Sequence, residues 1–224
     1  MAHEAKLSGA NGHAFPGYLK EPEGGRSRGA VVVIHEYWGL TDQVRGVADR
    51  LAREGFTAFA PDLYQGQVTT DADKALQLMQ ALDMKKAARE LAQAAEALRQ
   101  RAPGTRVAVL GFCMGGALAL AAAATDDTFA AAVPFYGIPP EQVADVSRIR
   151  CPVLGHFATQ DAWCTPERVD ALEKTLQAAQ VPARLHRYDA NHAFANERRP
   201  EVYSPANAEQ AWKRSIEFLH EKLG

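Results

Sequence analysis

The sequence is short of cysteine: among 224 residues only Cys113, Cys151 and Cys164 carry a thiol, and no two of them form a CxxC pair. A disulfide framework is therefore not what holds the chain, and a reducing cytoplasm is the expected compartment. An excess of charge of one sign is also missing. Lys plus Arg number 25 against 27 Asp plus Glu, a net charge of −2, which gives no reason to expect nucleic acid or an anionic membrane as partner. No apolar run approaches the ~20 residues of a membrane span, and no basic-then-apolar leader is visible in MAHEAKLSGANGHAF. HExxH, paired cysteine ligands and a histidine cluster are all lacking, so no metal is expected. Without GxGxxG or a P-loop, no nucleotide cofactor is expected either. No repeat, low-complexity tract or linker divides the chain, and residues 1–224 read as one domain.

Short apolar runs alternate with helical periods, which predicts an α/β fold: a mostly parallel central sheet with helices on both faces. Ala30–Ile34 (AVVVI) has the continuous β-branched character of a strand buried on both sides. Further strands are predicted at Phe56–Ala60, Arg106–Leu110, Ala131–Tyr136, Val153–Ala158 and Ala183–Tyr188. Helices are predicted at Asp42–Glu54, Asp71–Leu82, Met84–Arg101, Met114–Ala124, Pro166–Ala179 and Ala206–Leu223. The segment Ala5–Lys20 suits an antiparallel hairpin at the sheet edge.

The most informative segment is RVAVLGFCMGGALALAAAA. A strand ends, Gly111-Phe112-Cys113-Met114-Gly115-Gly116 follows, and an alanine-rich helix begins. This is the G-x-nucleophile-x-G elbow with cysteine as the nucleophile. Small neighbours let a sharp strand-to-helix turn pass close by, and the helix N-terminus is expected to favour a thiolate. The Met114 amide can serve an oxyanion. The competing reading is a buried structural cysteine beside glycines needed for packing.

An elbow nucleophile needs a base and an acid to orient it, in the chain order nucleophile, acid, histidine. Asp161 follows the strand PVLGHFA, and His192 follows ARLHRY, so each stands on its own post-strand loop. Asp161 could instead serve as a turn or helix-cap residue, and His192 as a surface histidine. His156 and His186 fall inside strands and are read as non-catalytic. The first buried strand runs into His35-Glu36-Tyr37-Trp38-Gly39. Tyr37 N–H is the candidate second oxyanion amide. Glu36 is read as a carboxylate facing the thiol or as a solvated loop residue, and Trp38 as a wall of the pocket. Tyr136, Phe194 and Asn196, which close the neighbouring strand and histidine segments, complete the candidate substrate contacts.

HEYWG, APDLY (Ala60–Tyr64), GFCMGG, TQD and NHAF together resemble the dienelactone hydrolase family, across about residue 5 to the C-terminus. The resemblance implies a cysteine α/β-hydrolase that needs no cofactor, with Cys113 as nucleophile, Asp161 as acid and His192 as base. It further implies a thiol-facing Glu36 that restrains the resting thiol, and oxyanion amides at Tyr37 and Met114. The family grips its substrate's carboxylate with two arginines, whose positions here carry Asn196 and Ala72. An amide and a methyl do not replace a bidentate clamp, so a neutral, larger or differently bound substrate is expected. The expected activity is cleavage of a small-molecule ester or lactone by a monomer or small homo-oligomer. A general carboxylesterase or thioesterase would share every motif. A non-catalytic protein or one sensing redox through Cys113 is the other alternative.

Overall fold

A computed structural model describes residues 2–8 and 14–224. The strands are β1 (Ala2–Ser8), β2 (Ala14–Lys20), β3 (Ala30–Ile34), β4 (Thr57–Pro61), β5 (Val107–Phe112), β6 (Phe129–Phe135), β7 (Val153–Gln160) and β8 (Ala183–Asn191). The helices are α1 (Asp42–Arg53), α2 (Ala72–Ala81), α3 (Met84–Arg101), α4 (Met114–Thr125), α5 (Pro166–Ala178) and α6 (Pro205–Leu223). All eight strands join one sheet in the order β1-β2-β4-β3-β5-β6-β7-β8. β1 pairs antiparallel with β2, and β2 antiparallel with β4. Every other neighbouring pair is parallel. The edge hairpin expected near the N-terminus is thus β1 and β2; residues 9–13 between them lie outside the described residues.

The strand period of two divides the core into two layers. Val32 and Ile34 of β3 join the cluster built with α3, α4 and α5, whereas Val31 and Val33 join the cluster built with α1 and α6. α1 presents Val44, Val47, Ala48 and Leu51 on one face, the i, i+3, i+4, i+7 spacing of an amphipathic helix. α4 is apolar on every side and buried from Met114 through Ala124, so it must be enclosed by the rest of the chain. Its fully buried Leu118 and Leu120 each stabilise the fold by roughly 1.5–3 kcal/mol.

Several strands run further than their composition suggests. β5 continues to Phe112, β7 to Gln160 and β8 to Asn191, because pairing carries the ladder on: Phe112 stands opposite Phe135, and Gln160 opposite Asn191. Cys113, Asp161 and His192 are consequently each the first residue after a strand, all at the carboxyl edge of the sheet. Tyr136, expected as the last residue of its strand, instead follows β6 with φ 37 and donates its amide to His156 O at 2.7 Å.

Candidate active site

Cys113 occupies the turn between β5 and α4 with φ 54 and ψ −118. A non-glycine residue held there stores on the order of 1–3 kcal/mol, so the surroundings must impose it. Cys113 N–H donates to Phe135 O at 3.0 Å, and Ala117 N–H donates to Cys113 O at 3.1 Å. Two glycines allow the close passage. A Cβ on Gly111 would lie 2.0 Å from Gly115 O, and one on Gly115 would lie 2.4 Å from Ile34 O and 2.6 Å from His35 O. The first turn of α4 is therefore pressed against the end of β3 at Ile34 and His35.

Cys113 is half-buried, and its thiol is hydrogen-bonded by the Met114 amide. Burial, followed by the charge of Glu36, pushes the thiol pKa far above its ordinary value despite that amide. The expectation that the helix N-terminus favours a thiolate is corrected here: desolvation and a like charge outweigh the dipole, and the resting thiol keeps its proton.

His192 Nδ1 lies 2.6 Å from Asp161 Oδ2, and the Asp161 side chain is fully shielded from solvent. Asp161 Oδ1 also accepts from the amides of Trp163 at 2.7 Å and Cys164 at 3.0 Å. Burial works to raise this carboxyl, but the bond and charge of His192 and the two amides outweigh it, and its pKa falls below the ordinary carboxylate range. A charged Asp161 accepts from Nδ1–H, which leaves Nε2 of His192 free to take a proton.

Glu36 is 2% exposed and is held at both oxygens. Asn196 Nδ2 donates to Oε2 at 2.8 Å, and the buried Tyr136 hydroxyl donates to Oε1 at 3.3 Å. Burial still raises the Glu36 pKa against these donors. Behind it, the wholly buried His35 places Nδ1 2.5 Å from Glu36 O, while Leu63 N–H donates to Nε2 at 3.3 Å. These partners assign the proton to Nδ1, and burial keeps the ring neutral by lowering its pKa.

Two cavities meet at the thiol. One of about 350 Å3 is lined by Glu36, Tyr37, Trp38, Cys113, His192 and Arg199, among others. The second, of about 790 Å3, also reaches Cys113 and His192 and extends over Met114 and Tyr136. Of the residues expected against substrate, Trp38 lies in the first cavity wall and Tyr136 borders the second. Phe194 is completely buried, packed against Tyr136 and Tyr188, and lines neither cavity. Asn196 is 3% exposed and commits its amide to Glu36. Ala72 stands exposed at the start of α2.

Arg199, which from sequence reads as part of a solvated charged loop or, with Arg198, Lys74 or Lys85, as a substitute for the family's carboxylate-binding arginines, stands in the first cavity wall with its guanidinium carbon 5.7 Å from the centre of the Trp38 ring. Trp163 borders both cavities and is 61% exposed. Neither has a local sequence signature. Arg199 has only its spacing of seven residues from His192 to recommend it, and Trp163 only its position just after Asp161. His156 is buried and satisfied on both ring nitrogens, by Tyr188 and Ser215, as a core histidine.

A mostly parallel eight-stranded sheet, helices on both faces and a strained elbow after the central strand define an α/β-hydrolase. The dienelactone hydrolase family model matches residues 15–223, and the chain belongs to that family: it is a hydrolase acting on carboxylic ester bonds. It is similar to Protein usf of Aquifex pyrophilus, 34% identical over 95% of this chain and 96% of the relative. A protein of Aquifex aeolicus (strain VF5), named as a candidate carboxymethylenebutenolidase, is 33% identical over 93% of this chain and 94% of its own. Among solved structures, a dienelactone hydrolase-like promiscuous phosphotriesterase from metagenomic libraries superposes with a TM-score of 0.86 at 27% identity, covering 100% of this chain and 99% of that one.

Proposed function

We propose that the protein hydrolyses esters or lactones through a Cys113–His192–Asp161 triad and a thioester acyl-enzyme. The observation that carries this reading is the 2.6 Å contact between His192 Nδ1 and the shielded carboxylate of Asp161, on the same cavity as a strained elbow cysteine.

Substrate enters beside a protonated thiol. His192 Nε2 takes the thiol proton as the sulfur bonds to the carbonyl carbon, and the carbonyl π electrons move onto oxygen. Met114 N–H and Tyr37 N–H receive that oxyanion. When the tetrahedral intermediate collapses, the C–O bond breaks and the alkoxide leaves with the proton from His192. Water, deprotonated by the same imidazole, then attacks the thioester and releases the carboxylic acid and the thiol. Asp161 holds the ring tautomer and stabilises the imidazolium formed twice per cycle.

The oxyanion amide of Tyr37 belongs to the same trans peptide unit as Glu36 O, so an N–H on one side is aimed by whatever holds the oxygen on the other. His35 holds that oxygen at 2.5 Å, which makes it a positioning residue. Glu36, facing the sulfur, keeps the unoccupied enzyme in its thiol form and limits unproductive alkylation or oxidation. Three unpaired thiols support the cytoplasm as the compartment. Among the described residues, no helix is long and apolar enough to cross a membrane.

Hydrolysis of p-nitrophenyl acetate tests the assignment. Cys113→Ala is expected to abolish turnover and His192→Ala to lower kcat by roughly a thousandfold or more, because triad members act as a unit. Undiminished turnover by Cys113→Ala would remove the nucleophile. A loss of less than about tenfold in His192→Ala would point to another base.

A further inference from the structure

We infer that the larger cavity beside the thiol is a subsite for an extended apolar limb of the substrate ester. The inference rests on the hydrolytic reading above and names the substrate class. The cavity runs between the α2–α3 junction and the loop after β6, and Met79, Leu82, Met84, Ile138, Pro140 and Val143 give it apolar walls. Its inner end is Cys113 and His192, with Met114 and Ala117 of the first α4 turn alongside. A group bonded to a carbonyl at the sulfur would lead directly into it. The volume of about 790 Å3 is within the range that holds a drug-sized ligand and far exceeds what an acetyl group fills.

The exposed ring at its mouth agrees with an apolar limb. Trp163 overhangs both cavities with 61% of its surface exposed, one of two large hydrophobic side chains so exposed among the described residues. Burying that ring against a substrate limb recovers apolar area that the free protein leaves in water. Arg168 borders the groove at its exposed rim, where its guanidinium donates to the backbone carbonyls of Trp163 and Ile138 and ties the Trp163 turn to the loop after β6. The charged side chains at the rim, Asp83, Lys85 and Arg168, are all exposed, so the interior between them is apolar.

Either the acyl chain or the alcohol can supply the limb, and two substrate series separate them. In one, p-nitrophenyl esters lengthen from acetate to hexanoate; in the other, acetate esters lengthen from ethyl to hexyl alcohol, followed by acid release. A rise in kcat/KM of roughly two- to fourfold per added methylene is expected in at least one series, the range set by partial to full burial of each CH2. The rising series identifies the limb. Val143→Trp, which fills the groove from a half-buried loop position, is expected to cut the ratio of longest to shortest substrate at least about fivefold. Flat or falling profiles in both series, with acetate still turned over through Cys113, would overturn the subsite and leave the triad standing. Retained turnover in Cys113→Ala would instead sink the hydrolytic reading beneath it.

Discussion

Asn196 donates its side-chain amide to Glu36 Oε2 at 2.8 Å, joining two buried residues that lie 160 positions apart in the chain. The contact holds the carboxyl whose charge, after burial itself, does most to keep the Cys113 thiol protonated. Replacing the carboxylate should therefore be read at the sulfur. Glu36→Gln is expected to lower the thiol pKa and to speed alkylation of Cys113 by iodoacetamide at pH 8, about tenfold for each unit by which that pKa drops. Asn196→Leu removes one donor and should lift the Glu36 pKa further, shifting the pH at which alkylation is restrained to higher values. Identical alkylation rates for wild type and Glu36→Gln from pH 6 to 10 would show that the two groups are not coupled.

His35 offers a test of the aimed amide. In His35→Leu the carbonyl of Glu36 loses its shorter donor and keeps only the Gly39 amide at 3.3 Å, and kcat is expected to fall roughly ten- to hundredfold with KM little changed, since a misdirected oxyanion donor acts on the transition state alone. His35→Asn can place an amide N–H near the former Nδ1–H and should restore most of kcat. A variant that merely melts at lower temperature while kcat holds would make His35 a structural residue only.

Much of this site is legible before any coordinates are known. Gly111-Phe112-Cys113-Met114-Gly115 announces its turn because strand, tight bend and helix start each demand local residue types. Asp161 and His192 are found the same way, each after its own apolar run. What escapes is chemistry made by distant packing. Glu36 finds Tyr136 and Asn196 only once β3, β6 and the loop after β8 lie side by side. Arg199 leaves the charged ERRP stretch for the cavity wall by the path of that loop, which no periodicity reports. The direction of the thiol's shift likewise follows from desolvation and from Glu36, brought near by the fold, which a helix dipole judged alone leaves out.

Stability should fall on both sides of neutrality. His35 and His156 are fully buried, and desolvation lowers both pKa values from the usual 6.5. The unfolded chain gains those protons near pH 6.5 while the folded one resists them. Stability is therefore full above that pH and is lost below it, by up to about 1.4 kcal/mol per pH unit for each histidine. On the alkaline side, burial pushes Cys151 and Cys164 up to about 12 from 9.0, so stability declines as pH rises from 9 towards 12. Urea midpoints from pH 5 to 10 should show both slopes, with the acid slope reduced in His156→Gln. Glu36, whose raised pKa adds stability as pH falls over the same range, offsets part of this slope, so an acid slope identical in wild type and His156→Gln is the result that would contradict a neutral, buried His156.

The most direct test is to stop the enzyme with acid during turnover of p-nitrophenyl butyrate, digest it, and weigh the cysteine peptides. A butyryl thioester on the peptide carrying Cys113 is expected, and none on the Cys151 and Cys164 peptides. Ester turnover with no acyl adduct on Cys113 at any quench time, or with the adduct on another residue, would contradict covalent catalysis by this sulfur.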